Sequence, residues 1–310
     1  MNTTLGKVKA TILATAAIVL STQVPAFAQG TGDGGENELN LFNAIILGLV
    51  EGLTEYLPVS STGHLLVTNR ILGIGATEES LAAIETYAIA IQIGAIVAVL
   101  LLYRERILSM VTGIFTKDSD GQKLGFAVIA AFIPTAIIGL AAEGFVAGTL
   151  FEPPSIAAAW LVGGIGILIF SAKKFDAGKA LETITTRQAF IIGVTQALAL
   201  WPGTSRSLVT IIAAVLLGLS LSAAVEFSFL LGLITLSAAT FWSLIKDGSQ
   251  LFEQFGVVNP LIGLIVAFLA AVISIRFMVS WLKNKGFAIF GYYRITIGLL
   301  AFGAIGLGWL

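Results

Sequence analysis

The chain has 310 residues, of which 57% are hydrophobic and 11% charged, with a formal net charge of −1. Its mean hydropathy of +0.96 is more than a soluble domain can bury, so an integral membrane protein is expected, and the near-neutral charge argues against a nucleic-acid partner. With no cysteine and one histidine, disulfides, thiolate zinc sites, cysteine nucleophiles and His-rich metal sites are excluded.

In chain order, residues 1–28 read as a secretory signal peptide. Lys7 and Lys9 form a basic region, an apolar run starts at Thr11, and Ala26 and Ala28 place an A-x-A arrangement before Gln29. Residues 29–38 are Gly-rich and acidic and are expected to be a disordered linker to a membrane domain over 39–310. Six apolar segments are long enough to cross a bilayer: Glu85–Tyr103, Lys123–Ala142, Ser155–Ala172, Leu221–Ile245, Val257–Leu282 and Ile289–Leu310. Two others, Leu39–Leu72 and Gln188–Leu217, are broken at Pro58 and at Pro202–Gly203. Each is too long for one crossing and too short for two, which predicts re-entrant helical hairpins.

The two broken regions resemble each other. At one constant offset Ile46, Gly48, Leu53 and Ser60 align with Ile191, Gly193, Leu198 and Ser205, and Glu51 aligns with Gln196. Each hairpin precedes three spans, an odd number, so the second half runs upside down relative to the first. The expected fold is an all-α polytopic membrane protein with an inverted-topology repeat, repeat one over 39–172 and repeat two over 188–310. Arg104, Arg106, Lys117, Lys123, Lys173, Lys174, Lys179, Arg187, Lys283 and Lys285 then share one side, which the positive-inside rule makes cytoplasmic. That orientation puts the N-terminus outside, in agreement with the signal peptide.

The polar residues concentrate at the breaks. Glu51 and Glu55 are spaced i, i+4 and share a helix face. A charge at mid-membrane costs roughly 2.5–3.5 kcal/mol, so the pair needs protonation, a cationic partner or a divalent metal. Pro58 ends the helix, and "SSTGH" follows: Ser60, Ser61 and Thr62 can cap the next helix, Gly63 permits close approach, and His64 lies on its first turn. The N–H groups and positive dipole end there suit an anion. The second break, "WPGTSRSLVT", repeats the design with hydroxyls at Thr204, Ser205 and Ser207 and a cation at Arg206. The guanidinium fork of Arg206 matches phosphate oxygens, and a salt bridge to Glu51 or Glu55 is the structural alternative. Glu226 is a further intramembrane acid. Together these groups suit a phosphorylated, lipid-soluble substrate: acids for a divalent cation, arginine and helix ends for phosphate, and a hydroxyl or imidazole to attack phosphorus.

"EGLTEYLPVSSTGHLL" together with "PGTSRSLVT", "IQIGAIVAV" and "EFSFLL" resembles the undecaprenyl-diphosphate phosphatase family, also called bacitracin-resistance proteins, over about residues 39–310. The resemblance implies dephosphorylation of a C55 polyprenyl diphosphate to the monophosphate carrier of cell-wall polymer synthesis. It also implies dependence on a divalent cation, Mg²⁺ or Ca²⁺, and a site opening to the outer face of a bacterial plasma membrane. Bacitracin would act by sequestering the lipid substrate, and a homodimer is compatible with the family. Glu51 and Glu55 match the family's paired acids, Ser61 and His64 its candidate catalytic residues, and Arg206, flanked by Ser205 and Ser207, its phosphate-binding arginine. Two positions depart from the pattern: Leu208 stands where glycine is usual, and Ala88 where many members carry glutamate.

Within that framework Ser61 is the expected nucleophile and His64 its base, with direct attack by His64 as the competing assignment. A phosphatidic-acid-type phosphatase also uses Ser-Gly-His and Ser-Arg stretches, but it needs a second histidine that this chain lacks. A transporter of polyprenyl phosphate is the non-enzymatic alternative, since inverted repeats with broken helices are a transporter architecture.

Overall fold

The computed structural model describes residues 39–74, 78–116, 119–173 and 178–310. The expected signal peptide and linker lie outside these residues. The described chain is helical, and its only β-type pairing is an isolated bridge between Lys179 and Leu219.

The helices are α1 (Leu41–Thr54), α2 (Ser61–Leu72), α3 (Glu78–Ala90), α4 (Gln92–Leu102), α5 (Arg104–Thr116), α6 (Ser119–Thr149), α7 (Pro153–Ala172), α8 (Thr186–Gln196), α9 (Arg206–Leu216), α10 (Leu221–Phe255), α11 (Val258–Lys285) and α12 (Ala288–Gly306). Short 3₁₀ turns at Leu181–Thr183 and Ala197–Leu200 complete the described helical elements. Local chemistry sets several boundaries. The Asn40 side chain accepts from Asn43 N at 2.8 Å to start α1, and Thr185 and Gln188 form a reciprocal capping box at α8. Gly73, with φ 65°, ends α2 in the left-handed conformation that glycine tolerates.

Among the described residues six segments are long and apolar enough to cross a membrane: Leu81–Leu102, Asp120–Ala142, Pro153–Ala172, Leu221–Ser249, Val258–Leu282 and Ala288–Gly306. They coincide with the six spans expected from sequence to within a few residues. Their outer faces expose large apolar side chains, among them Ile137, Val162, Phe241 and Ile273, as lipid contact requires. By contrast α1, α2, α8 and α9 have 14, 12, 11 and 11 residues, short of the ~20 needed for a crossing. Packing is reciprocal: α1 lies along α11 and α8 along α6, while α7 pairs with α12 and α3 with α10. Glycines allow α1 and α8 to pack closely on their neighbours. A Cβ on Gly52 would strike the Ala267 carbonyl of α11, and one on Gly193 the Ala131 carbonyl of α6.

Two features differ from the sequence expectation. The first span is not one continuous helix but breaks at Ile91, between α3 and α4. There the Thr240 hydroxyl of α10 donates to the Ile89 carbonyl at 3.3 Å, and Gly94 N bonds Ile91 O in a tighter i→i−3 turn. The segment after Tyr103, which lies outside the six expected spans, is helix α5, which packs on α6. Its Arg106 bridges Glu226 of α10 at 2.6 Å and Glu182 at 2.8 Å. The intramembrane acid Glu226 is thus paired with an arginine. A hydrogen bond to its own backbone, and then the Arg106 charge, hold the Glu182 carboxyl below the usual range.

Candidate active site

The turn between α1 and α2 leaves backbone carbonyls outside any helix, and a chain in lipid must satisfy them internally. Side chains do so at four consecutive residues. Ser207 Oγ donates to Leu57 O at 3.0 Å, Arg294 Nη1 to Pro58 O at 3.3 Å, Trp160 Nε1 to Val59 O at 3.0 Å, and His64 Nδ1 to Ser60 O at 2.6 Å. The turn before α9 is tied to the same residues: Arg294 Nη2 reaches Gly203 O at 2.7 Å and Ala159 O at 2.8 Å. Arg294 is completely buried on α12. Gly163 makes room for it, since a Cβ there would collide with the guanidinium.

The two helix starts are built alike. Ser60 and Ser205 are the only described non-glycine residues with positive φ, at 72° and 76°. Each caps its helix, Ser60 Oγ accepting from Gly63 N and Ser205 Oγ from Leu208 N. A left-handed serine is held in an unfavourable conformation, by roughly 1–2 kcal/mol. Here that backbone turns the following residue, Ser61 in one case and Arg206 in the other, into the first position of a helix.

Both helix starts line a cavity of about 180 Å³ that also takes in Glu55, Gln92, Thr135, Gln196 and Thr235. Glu55 is its hub. One carboxylate oxygen pairs with Arg206 Nη2 at 2.8 Å, and the other accepts from the Ser61 hydroxyl in a short hydrogen bond. Arg206 is held further by Ser228 O at 3.0 Å and lies over the Tyr56 ring, 5.6 Å from its centroid. A Cβ on Gly232 would occupy the space of its guanidinium. Glu51 lies one turn before Glu55. It is completely buried, and neither carboxylate oxygen has a hydrogen-bond partner among the described residues.

His64 is placed differently from the expected base. A carbonyl only accepts, so Nδ1, on Ser60 O, carries the hydrogen. In the neutral ring Nε2 then accepts from the Tyr293 hydroxyl at 2.8 Å. The imidazole stacks on Tyr293, with 9° between the planes, and sits beside Trp160. Both ring nitrogens are therefore engaged away from Ser61, whose proton is directed to Glu55.

Of the residues singled out from sequence, Glu55, Ser60, Ser61, Thr62, Ser205 and Arg206 line the cavity, whereas Glu51, Gly63, His64, Thr204 and Ser207 do not. Gly63 faces the Trp160 ring, Ser207 ties the two turns, and Thr204 N bonds Trp201 O at 3.1 Å. Of the two departures from the motif, Leu208 is buried and Ala88 packs against a core cluster without lining the cavity. Sequence reasoning missed Gln92, Thr135, Thr235 and Arg294, and gave Gln196 no role beyond its match to Glu51. Arg294 had a readable signal, as the one charged residue of α12. No group of three or more His, Asp or Glu side chains arranged for a metal occurs among the described residues.

Comparison with known proteins gives a consistent picture. A family model described as "Bacitracin resistance protein BacA" matches residues 44–300. "Undecaprenyl-diphosphatase" of Sorangium cellulosum (strain So ce56) is 43% identical over 264 residues, covering 84% of each chain. "Undecaprenyl-diphosphatase 1" of Chromobacterium violaceum is 41% identical over 267 residues, 85% of this chain and 96% of the relative. "Undecaprenyl-diphosphatase 3" of Acinetobacter baylyi is 38% identical over 263 residues, 84% of this chain and 97% of the relative.

Proposed function

The chain belongs to the bacitracin resistance protein family, and from that membership we propose that it is an integral membrane phosphatase hydrolysing undecaprenyl diphosphate to undecaprenyl phosphate and phosphate. The observation that carries the reading is the contact chain Ser61–Glu55–Arg206, set in a cavity between two broken helices. A hydroxyl hydrogen-bonded to a carboxylate, beside a guanidinium, is equipment for attack on a phosphoryl group.

In the proposed mechanism the terminal phosphate binds at the starts of α2 and α9, where Arg206 exchanges part of its bonding from Glu55 to phosphate oxygens. Ser61 Oγ attacks the terminal phosphorus, Glu55 takes its proton, and the polyprenyl monophosphate leaves as an anion. His64 acts by fixing the Ser60 carbonyl, and with it the left-handed turn that aims Ser61; this replaces the expectation that it deprotonates Ser61. Glu51, together with the Glu55 oxygen that Arg206 gives up, would hold a divalent cation, Mg²⁺ or Ca²⁺. The fit rests on the two unpartnered, buried oxygens of Glu51 and on a donor set made of oxygen, which these hard cations prefer. Such a cation supplies charge neutralisation to the diphosphate. With purified protein, chelation is expected to abolish phosphate release and added Mg²⁺ or Ca²⁺ to restore it. Full activity in excess chelator would remove the cation, while no phosphate release under any condition would sink the phosphatase reading in favour of transport.

The short helix pairs α1–α2 and α8–α9 are read as re-entrant hairpins of an inverted repeat. Support comes from the matched Ser60 and Ser205 caps and the reciprocal packing of α1 on α11 and α8 on α6. The distribution of basic residues supports a bacterial plasma-membrane protein with a cytoplasmic Arg104–Lys123 connection and a site opening outward. A single cysteine at position 78 is expected to react with an impermeant reagent from the outer face; reaction only from the cytoplasm would make the first hairpin a crossing. Bacitracin sequestration of the lipid substrate and assembly as a homodimer remain part of this proposal.

A further inference from the structure

Gln196, the last residue of α8, is the second-hairpin counterpart of Glu51 and lines the same cavity as Ser61. The bonds around it determine how its amide is turned. The Thr135 hydroxyl spends its hydrogen on Gly193 O at 2.7 Å, and the Thr235 hydroxyl spends its hydrogen on Leu231 O at 2.9 Å. Both threonine oxygens can then only accept, and both receive Gln196 Nε2, at 3.0 and 3.3 Å. The amide nitrogen is thus committed to the threonines. The carbonyl oxygen is buried, with no partner among the described residues. A buried unsatisfied oxygen calls for a donor. The ionised oxygens of the diphosphate and of a phosphoserine dianion are acceptors and cannot serve, so before product forms in a phosphate cavity the natural donor is water.

We propose that Gln196 binds and orients the water that hydrolyses a phosphorylated Ser61. The inference rests on the reading of Ser61 as nucleophile. In the first step the Ser61 Oγ–phosphorus bond forms, the bond from phosphorus to the bridging oxygen breaks, and Glu55 holds the serine proton. In the second step the water oxygen bonds to phosphorus while the bond from phosphorus to Ser61 Oγ breaks. Glu55 returns its proton to the Ser61 oxygen, and both water hydrogens leave on dihydrogenphosphate. Gln196 neither gains nor loses a proton; it holds the water oxygen in line through one hydrogen bond accepted by its carbonyl. A neutral amide suits this task, because a second carboxylate in its place would repel the phosphoserine dianion.

The test uses purified full-length protein, a C55 polyprenyl diphosphate and Mg²⁺, following lipid monophosphate and inorganic phosphate separately. In Gln196→Leu the first turnover is expected to release one equivalent of lipid monophosphate at the wild-type rate. Phosphate release should then fall by about a hundredfold, with phosphoserine accumulating at position 61 by mass spectrometry. Thr235→Val, which frees the amide to turn, should show the same imbalance in weaker form and serves if the leucine variant does not fold. Parallel slowing of both products without phosphoserine would overturn the proposal. A defect in either variant that extra Mg²⁺ repairs would do so too, since it makes Gln196 a cation ligand. Wild-type turnover by Ser61→Ala is a different failure: it removes the serine reading, and this inference with it.

Discussion

Ser61→Ala is expected to lower turnover by about a thousandfold or more while leaving lipid binding within a few-fold of wild type. The reason is local. The Ser61 hydroxyl is at the start of α2, in the cavity wall, hydrogen-bonded to Glu55, and no other described hydroxyl makes a bond to that carboxylate. Removing one oxygen leaves the helix starts proposed to bind phosphate, and Arg206, in place, so the loss should fall on kcat. His64→Gln provides the contrast. A glutamine amide can still donate toward Ser60 O, so a positioning histidine predicts a partial loss and an unchanged pH profile. A histidine that attacks or takes a proton predicts a dead variant. If Ser61→Ala turns over near normally and His64→Gln does not, the serine assignment is wrong and histidine takes its place. Phosphate release and retention of a radiolabelled lipid by each variant decide between them.

Arg294→Met should be damaging although Arg294 does not line the cavity. Its guanidinium is fully buried and donates to Pro58 O in one turn and Gly203 O in the other. Methionine fills part of the volume but donates nothing. Each carbonyl left without a donor costs about 1–3 kcal/mol in a setting where water cannot substitute. Since these turns immediately precede Ser60 and Ser205, their relative position sets that of Ser61 and Arg206. The expected result is a large fall in thermal stability in detergent, together with near-complete loss of phosphate release. Arg294→Lys should recover little, because one ammonium cannot reproduce a fork spread over two turns and α7. Wild-type stability in Arg294→Met would show that the turns are held without this residue.

Much of the architecture was legible in the residues. Length and apolarity alone located the six described helices long and apolar enough to cross, because a bilayer imposes a minimum run of apolar residues. Pro58 and the Pro202–Gly203 pair marked the two breaks, since proline cannot continue the hydrogen-bond ladder. The clustering of Glu55, Ser61 and Arg206 was also readable, because an ionisable group in a membrane needs a nearby partner. The offset that matched Ser60 with Ser205 fell on the two residues that share an unusual backbone. It also paired Glu51 with Gln196, without saying what the glutamine does.

Other features depended on contacts between segments distant in the chain. The sequence spacing of Ser61 and His64 put the imidazole on the first turn of α2, but Tyr293 and Ser60 decide where its nitrogens go. The break at Ile91 depends on a hydroxyl from Thr240, about 150 residues away along the chain. Arg294 could be seen as a charge in an apolar helix, yet nothing in α12 says that its partners are the carbonyls of both turns. Periodicity and local propensity report what a segment does by itself. Which donor satisfies which buried acceptor is settled only when the helices pack, because without water each hydrogen bond must be found across that packing.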